Sequence, residues 1–103
     1  MRHFHRTSVT PAAVVSAADE FFAKLGMRTT ASDDRMRTFQ GVVGTPEVMA
    51  TARLTVRPEG GHYTFVQVDT DQIGESRLDR NVKRFFVELH RLAEPSHRLE
   101  ASY

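Results

Sequence analysis

The sequence predicts an α+β domain in which two helices cover one face of an antiparallel sheet of about five strands. Three observations predict it: a helix-start signal at Thr10-Pro11, strict apolar alternation over residues 48–57, and a long apolar helical stripe over residues 78–93. The predicted order is β-α-β-β-β-β-α. Because hairpin-connected strands lie antiparallel, this order excludes an alternating parallel fold.

The first helix is predicted to follow a strand over residues 2–9. Thr10 suits the N-cap and Pro11 suits the first helical position. Apolar residues then recur at three- and four-residue steps: Val14, Ala17, Ala18, Phe21, Phe22 and Leu25. Gly26 can adopt the left-handed conformation that ends a helix.

The middle of the chain predicts four strands, over residues 27–31, 35–43, 48–57 and 62–69. The third is the clearest, with Val48, Ala50, Ala52, Leu54 and Val56 on one face. Polar breaks at residues 32–34 and 44–46 separate the first three strands, and Pro58-Glu59-Gly60-Gly61 is typical of a hairpin turn.

A two-residue turn at Glu59-Gly60 fixes a register for this hairpin. The predicted pairs are Val56 with Tyr63, Leu54 with Phe65, and Ala52 with Gln67. This register places the aromatic side chains on the same face as the aliphatic ones, as cross-strand packing favours. It places Val66 on the opposite face.

The last helix is predicted to begin after Ser76, which forms a capping-box pattern with Asp79. Its apolar stripe consists of Leu78, Val82, Phe85, Phe86, Leu89, Leu92 and Ala93. Pro95 ends the helix. We therefore expect a single domain over residues 1–95 and a loose C-terminal tail over residues 96–103.

Composition restricts the classes of function. The net charge of +1, from 14 basic and 13 acidic residues, argues against nucleic acid as a partner. The absence of cysteine excludes disulfides and thiolate metal sites. No apolar stretch approaches the roughly 18–20 residues of a membrane span, and the N-terminus has no signal-peptide core, so a cytoplasmic location is expected.

The element order, the segment Val9-Thr10-Pro11-Ala12-Ala13-Val14-Val15, the pair Phe21-Phe22 and the long closing helix resemble the START/Bet v1/polyketide-cyclase (SRPBCC) helix-grip superfamily. The resemblance covers nearly the whole chain. It implies a closing helix that grips a curved sheet around an apolar pocket for lipids, hormones or polyketides. Members usually have more strands, so here the pocket is expected to be small or filled by side chains. The same order also describes the saddle-like half of the TATA-binding protein.

The first functional hypothesis is a small binding or assembly protein with an apolar ligand cleft between the last helix and the sheet. The candidate ligand-binding residues are Leu54, Tyr63, Phe65, Gln67, Phe85 and Leu89. Gln67 stands out because a buried amide must find hydrogen-bond partners and could orient a ligand. Two alternatives stay open for it, a pocket position and a position where the sheet emerges from under the helix.

The second hypothesis is an interaction subunit, either a homodimer or a component of a complex, that acts through the uncovered sheet face. The candidate interface residues are Met49, Thr51, Arg53, Thr55, Arg57 and Val66. This mixture of arginine and apolar groups is closer to an interface than to a plain solvated surface.

No pattern predicts a catalytic site, a cofactor or a metal, so a binding protein is favoured over an enzyme. His3 and His5 share one strand face at a spacing that could serve a metal, but a solvated edge strand is favoured. The acids Asp69, Asp71 and Glu75 are most simply a polar loop before a helix. The arginines at 77, 80, 84 and 91 are most simply a solvated helix face with ordinary four-residue ion pairs, such as Arg84 with Glu88.

Overall fold

Five strands and two helices form in the predicted order in a computed structural model that describes residues 1–43, 48–73 and 76–93. The elements are β1 (Arg2–Thr7), α1 (Pro11–Lys24), β2 (Arg28–Asp33), β3 (Met36–Val43), β4 (Val48–Glu59), β5 (Tyr63–Thr70) and α2 (Arg77–Ala93). The predicted break at 44–46, Pro95 and the tail over 96–103 lie outside the described residues.

The sheet has the strand order β1-β5-β4-β3-β2, and every neighbouring pair is antiparallel. Strands β2 to β5 form a meander, and β1 adds to its far edge by pairing with β5. Both helices pack on the same face of this sheet, where α1 lies over β2, β3 and β4, and α2 lies over β1 and β5. The predicted α+β architecture is confirmed.

Both helices begin at the signals that the sequence carries, and α1 also ends at one. The Thr10 hydroxyl accepts a hydrogen bond from the Ala13 amide at 3.3 Å, and Gly26 adopts a φ of 86° after the last turn of α1. In α2 the capping box forms in both directions. The Ser76 amide donates to the Asp79 carboxylate at 3.1 Å, and the Asp79 amide donates to the Ser76 hydroxyl at 3.2 Å.

Four phenylalanines join the two helices to the middle of the sheet. The ring of Phe22 stacks on Phe39 with centroids 4.5 Å apart, and Phe85 packs against Phe21 and Phe22 at 5.4 and 5.6 Å. Around them the small side chains of Ala50 and Ala52 let the helices approach the sheet closely. The space beneath α2 is therefore occupied by the protein's own side chains.

The predicted β4–β5 register is wrong. The hairpin loop is Gly60–His62, with φ of 61° at Gly60 and 75° at Gly61, so that Glu59 pairs with Tyr63. The observed pairs are Val56 with Val66, Leu54 with Val68, and Thr55 with Gln67. The three-residue displacement is odd, so it turns every β5 side chain to the other face of the sheet.

Candidate ligand-binding site

The structure does not bring the six predicted ligand-binding residues together. Leu54, Phe85 and Leu89 are fully buried in the core and offer no surface to a ligand. Tyr63, Phe65 and Gln67 lie on the uncovered face, because the observed register reverses β5. Gln67 donates there to Asp69 at 2.8 Å and is not a pocket amide.

A cleft of about 560 Å³ lies instead on the flank of α2. We call it the cationic cleft. It is lined by Lys24 and Leu25 at the end of α1, Val42 and Val43 at the end of β3, and Arg77, Arg80, Asn81 and Arg84 of α2. Its apolar part comes from α1 and β3, and its charged wall comes mainly from α2.

Helical spacing places the three arginines on one wall. Arg77, Arg80 and Arg84 are separated by three and four residues, so they follow one side of α2, while Leu78, Val82 and Phe85 follow the buried side. Lys24, in the last turn of α1, reaches the same cleft from a different element. Sequence patterns reveal the arginine row but not the approach of Lys24, which only tertiary packing brings about.

The four cationic side chains have no hydrogen-bond or ion-pair partner among residues 1–43, 48–73 and 76–93. Three arginines elsewhere have a close carboxylate partner, Arg2 with Asp69 at 2.8 Å, Arg6 with Glu59 at 2.9 Å, and Arg37 with Asp19 at 3.1 Å, whereas an exposed arginine such as Arg35 has none in the described residues. The expected pair of Arg84 with Glu88 is not observed, since Glu88 accepts from Arg91 at 3.2 Å. The cleft therefore gathers positive charge that the described part of the protein leaves uncompensated.

Asn81 is the one nearly buried polar side chain among the cleft's lining residues, with 9% of its surface exposed. Its amide nitrogen donates to the Arg77 carbonyl at 2.9 Å. Its amide oxygen has no hydrogen-bond partner in the described residues. This oxygen is not fully buried, so a ligand or solvent can reach it. The oxygen is therefore available as an acceptor in a cleft whose other polar groups are all donors.

The uncovered sheet face is the second candidate site. Five of the predicted interface residues, Met49, Thr51, Arg53, Thr55 and Arg57, do lie on it, whereas Val66 is fully buried on the opposite face. Beside them the ring of Phe4, 56% exposed, contacts Phe65 with centroids 5.4 Å apart. The Arg57 guanidinium lies 4.6 Å from the centre of the Phe65 ring, a cation–π contact.

A buried polar cluster ties β1 and β5 to the start of α2. The His3 Nε2–H donates to Asp79 at 2.6 Å, and Asp79 also accepts from the Thr70 hydroxyl at 2.9 Å and the Ser76 hydroxyl at 2.7 Å. Burial raises the pKa of Asp79, but the hydrogen bonds from His3, Ser76 and Thr70 outweigh burial and lower that pKa to about 2. His3 is thus not a solvated edge residue, and its partner 76 positions away carries no local sequence signal.

His5 and Asp71, which the sequence also singled out, have structural partners. His5 stacks on Phe86 at 4.9 Å, and burial lowers the pKa of His5 below its usual value, with His90 lowering it further. Asp71 accepts from the Thr51 amide at 3.0 Å. Glu75 lies outside the described residues. Within the described ranges, no three histidine, aspartate or glutamate side chains come together as metal ligands would.

Comparison with known proteins adds information on the fold. The chain is similar to the crystal structure of the di-domain ARO/CYC StfQ from the steffimycin biosynthetic pathway, with a TM-score of 0.56 and 12% sequence identity. The match covers 95% of this chain and 46% of that one, so this chain spans about half the length of its structural neighbour. The likeness agrees with a helix-grip architecture.

No protein-family model matches the chain, and no curated protein matches it. Neither described helix is long and apolar enough to cross a membrane.

Proposed function

We propose that this protein binds a small molecule in the cationic cleft. The observation that supports the proposal is the convergence of Lys24, Arg77, Arg80 and Arg84 on one cleft without a carboxylate partner in the described residues. The structural neighbour is an ARO/CYC protein of a biosynthetic pathway, a setting consistent with small-molecule binding.

The position of the cleft follows from how the core is packed. With five strands, the sheet is covered by two helices whose phenylalanines fill the space where an enclosed pocket would lie. Surface for a ligand remains where the first half of α2 borders the end of α1 and the end of β3. There Leu25 and Val43 supply apolar contact beneath the charged wall.

Amide NMR spectra of the protein titrated with a library of small organic molecules, both charged and neutral, test the proposal. Binding should shift the amide signals of Leu25, Val43 and Asn81. Arg80 is exposed on the wall of the cleft, so Arg80→Trp should fill the cleft and weaken those shifts without unfolding the domain. Val87→Trp, on an exposed position of the same helix outside the cleft, is the matched control. Ligands that shift only signals elsewhere would contradict the proposal.

A second candidate function is self-association through the uncovered sheet face. The exposed ring of Phe4 on Phe65, with Arg57 over that ring, supports it, since aromatic and arginine side chains are enriched in protein interfaces. Arg53 lies on the same face between β3 and β5. Sedimentation should then show a dimer that Arg53→Glu disrupts while the circular dichroism spectrum is unchanged. A monomer at high protein concentration would remove this candidate.

A further inference from the structure

We propose that the ligand of the cationic cleft is a small hydroxylated polyanion, carrying at least two carboxylate or phosphate groups. The inference rests on the proposed function and names the chemical class of its ligand. Three features of the cleft lead to it: the spread of its cations, their lack of partners in the described residues, and the acceptor that Asn81 adds.

The spread of the cations sets the number of acidic groups. At a helical rise of about 1.5 Å per residue, Arg80 lies about 4.5 Å and Arg84 about 10.5 Å along the axis from Arg77. One carboxylate accepts from one guanidinium fork, or from two at close range. A row about 10 Å long is therefore matched by two or more acidic groups on one molecule, with Lys24 facing them from the end of α1.

The charge of the cleft indicates that those groups are anionic and not merely polar. Neighbouring cations on one helix side repel each other, which disfavours this arrangement in the free protein. Elsewhere carboxylates at 2.8 to 3.1 Å offset such charges, as Asp69 does for Arg2 and Asp19 does for Arg37. A bound polyanion would relieve the repulsion and satisfy the guanidinium donors at the same time.

Asn81 indicates that the ligand also carries a hydroxyl group. One N–H of its amide is committed to the Arg77 carbonyl, so the second N–H and the oxygen remain for a ligand, and the oxygen is the acceptor of the two. Carboxylates and phosphates bring only acceptors, and an acceptor of the protein needs a donor. A hydroxyl on the ligand supplies that donor, and because Asn81 is nine-tenths buried, a ligand without a hydroxyl would cover an unsatisfied oxygen.

Calorimetric titration at low ionic strength with citrate, tricarballylate, pyrophosphate and acetate tests the inference. Citrate and tricarballylate differ only in the hydroxyl of citrate. Citrate should bind, acetate should not, and tricarballylate should bind about tenfold more weakly than citrate. Pyrophosphate, which has the charge without a carbon skeleton, should bind between citrate and acetate. Equal affinity for citrate and tricarballylate would overturn the role of Asn81.

Single substitutions locate the binding. Arg77→Ala, Arg80→Ala and Arg84→Ala should each weaken citrate binding about tenfold. Arg35→Ala is the matched control: Arg35 is exposed and has no side-chain partner in the described residues, and it lies at the opposite end of β3 from the cleft. Its removal should change the affinity by less than about twofold. Equal losses in all four variants would mean that citrate responds only to net charge, and would overturn the inference.

Failure of the inference is distinguishable from failure of the proposed function. If neutral or singly charged molecules shift the amide signals of the cleft while citrate and pyrophosphate do not, the cleft binds ligands and the polyanion assignment is wrong. If no compound in either set shifts those signals, both are wrong.

Discussion

Replacement of Asp79 by asparagine should show how much the charge of this carboxylate contributes to stability, because the shape of the side chain is nearly unchanged. The carboxylate is completely buried, and it accepts from His3 on β1, Thr70 at the end of β5, and Ser76 before α2. Asparagine has nearly the same size but turns an NH2 group toward groups that already donate. Asp79→Asn should therefore loosen the attachment of α2 to the sheet while leaving the apolar packing unchanged.

The magnitude follows from the lowered pKa. A change from the usual 3.8 to about 2 corresponds to about 2 kcal/mol, at about 1.36 kcal/mol per pH unit. The folded state thus prefers the ionised carboxylate by that amount. Asparagine keeps the backbone N–H that donates to Ser76 and can accept from the Ser76 amide, so the capping box adds no further loss, and we expect Asp79→Asn to lose about 2 kcal/mol of unfolding free energy at neutral pH.

The same numbers fix a pH dependence. Because the pKa of Asp79 is lower in the folded state, the unfolded state binds the proton first as the pH falls. The contribution of ionised Asp79 to the unfolding free energy is therefore fully present above about pH 4 and is lost between about pH 4 and pH 2. The gap in unfolding free energy between the wild type and Asp79→Asn should narrow from about 2 kcal/mol at pH 7 to less than about 1 kcal/mol at pH 2.

Urea denaturation at a series of pH values, followed by circular dichroism, measures this gap. The pKa values of Asp69 and Asp71 are also lowered, but these residues are common to both proteins and cancel in the difference. Asp34→Asn, at an exposed turn, is the control and should show no pH-dependent gap. A gap for Asp79→Asn that is the same at pH 7 and at pH 2 would refute the reasoning.

Three further substitutions test the fold. Gly41→Ala should destabilise the protein by about 1–3 kcal/mol in thermal melts, because the new Cβ would lie 2.8 Å from the Met27 Cα. An unchanged melting temperature would contradict that close approach. Val66→Ala should lower the unfolding free energy by about 2 kcal/mol in urea titrations, and by more than Phe65→Ala does, because Val66 is the buried residue of the two. A larger loss for Phe65→Ala would support the register expected from the sequence instead. Thr10→Ala should cost about 1 kcal/mol in urea titrations through the lost N-cap of α1, and an unchanged stability would contradict the cap.

The sequence predicts the architecture because the signals for each element are local and agree with each other. Thr10 and Gly26 frame α1, the Ser76–Asp79 box begins α2, and the alternation along β4 fixes its buried face. None of these inferences needs a contact between distant parts of the chain.

The hairpin register shows where local reasoning fails. The three-residue loop with two glycines in positive φ displaces β5 from the register of a two-residue turn. A signal against the expected register was present, since Tyr63 and Phe65 share a face with Gln67 and Asp69. The alternate set contains two valines between two threonines, the composition of a buried β face. The size of the aromatic rings favours burial of this face, but the polarity of Gln67 and Asp69 keeps it exposed.

The candidate site could not be predicted either, because it depends on which ion pairs form in the folded protein and on which element packs beside α2. Spacing alone suggested that Arg84 and Glu88 form a four-residue ion pair, so that the basic side of α2 would be neutral. In the fold Glu88 pairs with Arg91, and the C-terminal half of that side is compensated. Arg84 stays with the N-terminal half, where α1 brings another cation instead of a carboxylate. One stretch of helix thus divides into a neutral half and a charged half, and the charged half borders the cationic cleft.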